Sequence, residues 1–125
     1  MKIIIETIPH KLQRYPTVGD WFVDKDGTLR IHVSEMKDWR HEMLIAVHEL
    51  VEVILCRNYG VSQEDVDKFD MNFEANRKPD DESEPGDNVD APYSQYHCFA
   101  TGVERALCSA LNVSWKHYDS EVMSL

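Results

Sequence analysis

The sequence predicts an α+β domain: an N-terminal antiparallel sheet of about three strands packed on three to four helices, one of them central. Three observations lead there. The first 34 residues are rich in β-branched and aromatic side chains and carry an Asp26-Gly27 turn pair. Residues His41 to Cys56 then run for about four turns without Gly or Pro, and most are strong helix formers. The C-terminal half shows helical apolar stripes interrupted by one acidic, proline-containing break. At 125 residues the chain makes a single domain, 1–125, with a sizeable core.

Residues 1–34 hold strands and a hairpin. Met1 to Ile8 reads as a strand closed by Pro9, and Pro16 with Gly19 marks a loop. Asp26-Gly27 then joins two β-rich arms, with Leu29, Ile31 and Val33 on one face and Arg30 and His32 on the other. This makes His32 a half-exposed strand residue. Ser34 or Asp38 caps the central helix, 38–58, which Tyr59-Gly60 ends. Its apolar residues, Met43, Val47, Leu50 and Ile54 included, cover most of its circumference, so it is expected to be covered on most sides. Ser62 caps a second helix, 62–75, with an apolar face of Val66, Phe69 and Phe73 that also carries Asp70.

An acidic loop, 77–91, follows; its charge, two prolines and glycine predict a solvated linker over the site, with a lid as the further reading. No regular Asp spacing with a closing Glu marks a calcium loop there. The third helix spans 93–111, where Gly102 would permit close approach of another helix. The tail, 112–125, has aromatics enough to pack back on the domain, with His117 exposed.

Thirteen basic against 23 acidic residues give a net charge of -10, which argues against nucleic acid or an anionic membrane as partner. It suits a cation, or a cationic partner. The apolar start, Met1 to Ile5, is too short for a signal peptide and meets Glu6 at once, and no run approaches a membrane span. Cys56, Cys98 and Cys108 show no CxxC spacing and read as reduced thiols in the core of a cytoplasmic protein.

Ionisable residues fall inside the apolar arcs of two helices. On the central helix, Glu52 lies about 40° from His48, beside Leu44, Val51 and Leu55. Buried charges of this kind require a partner. A metal supplies one: His48 and Glu52, one turn apart, can reach the same ion, while Glu49 holds a bound water and takes its proton. His41, two turns earlier, is either a further ligand or an exposed residue of the first turns. On the third helix, Glu104 and Thr101 lie within about 40° of His97. The metal candidates are therefore His48 and Glu52 with either His97 or Glu104, leaving one position for water, with Asp70 or Thr101 as supporting groups and Glu49 as catalytic base. The alternative is that His97 and Glu104 make ordinary buried hydrogen bonds, or that Glu104 pairs with Arg40 or Arg105.

His48-Glu49-Leu50-Val51-Glu52 resembles the HExxH signature of zincin metallohydrolases, with Glu52 in place of the second histidine. Strands, an HExx helix and then a helix offering a third ligand is the order of minimal zincin-like peptidase domains. That resemblance implies zinc, with magnesium or manganese as alternatives, and a peptide or small-molecule substrate. The phrases Tyr15-Pro16-Thr17-Val18-Gly19-Asp20-Trp21, His48 to Glu52 and Glu84-Pro85-Gly86-Asp87 also resemble small uncharacterised phage and prophage proteins. This implies action in a host cytoplasm, and a non-catalytic alternative in which the chain binds a host protein. Glu49-Leu50-Val51-Glu52 followed by Glu64-Asp65-Val66-Asp67 further resembles the ExxE…ExxD pattern of MazG-like nucleotide pyrophosphohydrolases, which implies magnesium.

Overall fold

A computed structural model describes residues 1–125. Three strands, β1 (Ile3–Ile8), β2 (Gly19–Val23) and β3 (Leu29–Ser34), precede four helices. These are α1 (Trp39–Asn58), α2 (Gln63–Ala75), α3 (Ser94–Ala110) and α4 (Trp115–Met123). The α+β class stands as read from the sequence.

The sheet is mixed, in the order β1-β3-β2, and not antiparallel throughout. β2 and β3 form the expected antiparallel hairpin, with Trp21 opposite Ile31. Its turn spans Asp24 to Thr28, where Gly27 takes a left-handed φ of 79° and its N–H donates to the Asp24 carbonyl at 3.0 Å. β1 runs parallel to β3, with Ile5 opposite Ile31. The reason lies in β3: its inward Leu29, Ile31 and Val33 are all buried, so this strand takes the centre and both of its edges must be paired. The link from Pro9 to Val18 carries the chain across the sheet and leaves the half-exposed β1 at an edge.

α1 packs against α3 on one side and against β2 and β3 on the other. Asp38 caps it, accepting from the Arg40 N–H at 2.9 Å. Buried Leu44, Ile45, Val53 and Cys56 join Trp21, Ile31, Val33 and Val66 in one core. α1 is covered on most sides, as expected, with Met43 and Ile54 on the one strip that faces solvent. Nor does Gly102 serve a close approach: a Cβ there would meet open space. Cys98 is exposed, so only Cys56 and Cys108 are core thiols.

The tail is a helix. Ser114 caps α4 by accepting from the His117 N–H, and Trp115, Tyr118 and Val122 form the inward stripe, with Tyr118 buried and His117 exposed. His41 is buried rather than exposed, its Nδ1 2.8 Å from a Glu121 carboxylate oxygen on α4. No helix is long and apolar enough to cross a membrane.

Candidate metal centre

α1 and α3 face each other through the residues whose helical spacing singled them out. His48 and Glu52 project from successive turns of α1, and His97 from the first turns of α3. His97 Nδ1 lies 3.1 Å from Glu52 Oε2 and 3.1 Å from His48 Nε2, and His48 Nε2 lies 3.4 Å from Glu52 Oε2. All three side chains are buried. They form the floor of an open cavity of about 520 Å³ that Glu49, Asp70 and Tyr93 also line.

Glu104 does not join these three atoms. It sits behind His48, its Oε1 2.7 Å from Nδ1, and its Oε2 accepts the hydroxyl proton of Tyr118 from α4. A carboxylate so placed accepts, so Nδ1 of His48 carries hydrogen and Nε2 is the nitrogen that faces Glu52 and His97, free to offer a lone pair once its own proton is displaced. This is how an outer carboxylate fixes the tautomer and orientation of a metal-binding histidine. Trp21 Nε1 donates to Glu52 Oε1 at 3.1 Å and leaves Oε2 to face the histidines.

Two ligands held about 2.0–2.2 Å from one tetrahedral ion stand roughly 3.3 Å apart. The three separations here, 3.1, 3.1 and 3.4 Å, match such edges. The same space attracts protons. Burial by itself would lower both imidazoles, but the carboxylates of Glu104 and Glu52 raise His48 to about 11, and those of Glu52 and Glu84 raise His97 to about 10. Burial would raise Glu52, yet the two histidines pull it down to about 2.

Glu49 is half-buried, and its carboxylate has no hydrogen-bond partner. Burial, then the charge of Glu52, hold it well above the usual carboxylate range. It lies against the backbone of β2, where a Cβ on Gly19 would stand 2.6 Å from its Oε1. Glycine at this position lets the strand approach the carboxylate.

The two supporting residues are placed differently from the expectation. Thr101 Oγ1 donates to the backbone carbonyl of His97 at 3.1 Å, so it bonds its own helix and does not touch the ring. Asp70 accepts from Tyr15 at 2.8 Å and from Tyr93, and Tyr93 in turn stands edge-on to His97 with ring centroids 6.2 Å apart. Asp70 thus acts one residue removed. Its burial raises it from 3.8 to about 6 against the two hydroxyl donors. The unfolded carboxyl ionises first, so this group's contribution is greatest below 3.8 and falls as pH rises to about 6, by about 3 kcal/mol. Thermal melts between about pH 4 and 7 should show this slope in the native protein and its loss in Asp70→Asn; equal slopes in the two proteins would contradict it.

Asp67 is held by Arg14, at 3.0 Å, and Glu64 is exposed, so neither carboxylate joins the His48 group. His32 pairs with Glu6 across the sheet, away from the cavity. Tyr93 and Tyr118 lay in no motif, and Trp21 and Gly86 lay in the phrases Tyr15 to Trp21 and Glu84 to Asp87, which gave them no role at the site. For Tyr118 a signal existed in the helical spacing of Trp115, Tyr118 and Val122 after a capping serine.

The acidic loop does close on the site. Its single turn of 3-10 helix, Pro85–Asp87, lays Gly86 flat against His97, and a Cβ on Gly86 would stand 2.3 Å from the ring. Comparison with family models, curated proteins and solved structures yields no match to this chain.

Proposed function

We propose that the protein binds one catalytic divalent ion, zinc first, through His48 Nε2, Glu52 Oε2 and His97 Nδ1, and that it is a zincin-like hydrolase. The observation that carries this reading is the convergence of two imidazole nitrogens and a carboxylate oxygen, at ligand-edge spacing, in a buried floor beneath an open cavity. Three protein ligands leave a position for water, as catalytic sites do and closed structural sites do not. Bound there, the ion would supply Lewis acidity to a scissile carbonyl or related group. Glu49, on the turn between two ligands, takes the proton of the attacking water and passes it to the leaving group. A nearby dication opposes the burial and the Glu52 charge that now favour the protonated form of Glu49. Glu104 and Tyr118 hold His48, and Trp21 holds Glu52.

Mass spectrometry of untagged protein tests this reading. About one zinc per chain is expected as purified, lost in His48→Ala and in His97→Ala variants that remain folded. Glu49→Gln should keep the metal and lower turnover of any substrate found by about 10²–10⁴-fold. Protein with no transition metal, and none taken up on dialysis, contradicts the proposal.

A further inference from the structure

We infer that the acidic strap and His97 form a second divalent-cation site, made by Glu84 Oε2, Asp87 Oδ1 and His97 Nε2. The ring of His97 spends only Nδ1 on the first group. Its Nε2 is buried, in a side chain that is 7% exposed, and has no hydrogen-bond partner. Glu84 Oε2 stands 2.9 Å from it and Asp87 Oδ1 3.4 Å. Distance alone would make the first contact a strong hydrogen bond, but Glu84 lies off the direction in which a ring N–H donates.

That combination has a simple chemical meaning. An acceptor sits along the N–H bond, whereas two ligands of one ion sit side by side and aim at a common point between them. All three atoms lie within 4.8 Å of one another. Asp87 turns its other oxygen, Oδ2, back to the Glu84 N–H at 3.1 Å, which leaves Oδ1 for the site. Gly86 lets the strap lie flush against the ring, so both carboxylates reach the Nε2 edge. One imidazole nitrogen with two carboxylates suits zinc or manganese, and the exposed strap leaves room for water to complete the shell. Filled together, the two sites would share one histidine ring, whose proton passes to solvent. Only that sharing rests on the proposed catalytic centre; the strap site stands on its own ligands.

Equilibrium dialysis of the full chain against zinc, followed by metal and protein quantitation, distinguishes the cases. The native protein should take two zinc ions per chain and the Glu84→Gln/Asp87→Asn variant one, with unchanged circular dichroism because both residues are exposed. His48→Ala, which carries no zinc as purified, should take up one on this dialysis. A native stoichiometry of one that the strap variant leaves intact overturns the second site and leaves the catalytic centre standing. One zinc kept in His48→Ala but lost in the strap variant supports the second site and overturns the centre, and no zinc at all overturns both.

Discussion

Glu52→Gln should cost about 3 kcal/mol of stability even with the metal chelated, seen as a fall in Tm of roughly 10 °C, and should abolish zinc binding at the His48 centre. The substitution keeps the volume and removes the charge. Glu52 is the only carboxylate placed between the two imidazoles: its Oε2 is 3.1 Å from His97 Nδ1 and 3.4 Å from His48 Nε2. In its absence the raised basicity of both rings loses a common cause, and an amide N–H must face either a ring nitrogen or the indole N–H of Trp21. In a Glu84→Gln/Asp87→Asn background, which leaves only the His48 centre, added zinc should raise the Tm and the further change Glu52→Gln should remove that rise, because the ligand-binding energy of the centre is gone. Calorimetry in chelator and in zinc reads both effects. A Glu52→Gln variant that melts within about 2 °C of its parent and still answers to zinc in that background would remove Glu52 from the site.

Gly86→Ala should weaken zinc binding by about 10- to 100-fold, the range expected when a group that positions a ligand is disturbed. The added Cβ would lie 2.3 Å from Cγ and 2.5 Å from Nδ1 of His97, so ring or strap must move. The ring is the more constrained of the two, held by Glu52 and His48 on one side and by Tyr93 on its edge. Gly102→Ala is the matched control. Its Cβ meets nothing, so it should leave metal affinity unchanged and gain up to about 1 kcal/mol of helix stability. Competition titration against a chromophoric chelator measures the affinities, and equal affinity in Gly86→Ala and native protein would show that the strap does not position His97.

What the sequence determined by itself is what short-range geometry fixes. Spacing of four residues on a helix put His48 and Glu52 on one face, and Asp38, Ser62 and Asp26-Gly27 set element ends through local hydrogen bonds and allowed φ. The apolar arcs also marked His97 and Glu104 as inward-facing, since a helix face is a property of one segment. Only the tertiary structure decided what those faces meet. That Glu104 stands behind His48 and not beside His97, that Tyr118 reaches it from α4, and that Thr101 turns to its own backbone depend on how α1, α3 and α4 are rotated against one another. The same holds for β1, whose run of isoleucines fits a parallel or an antiparallel edge equally well until the central position of β3 selects one. Gly86 is the clearest case: in the sequence it is a turn residue in an acidic loop, and only the His97 ring packed against it shows why no side chain fits there. Contacts between residues far apart in the chain are set by the sum of many packing terms, and no single segment carries that sum.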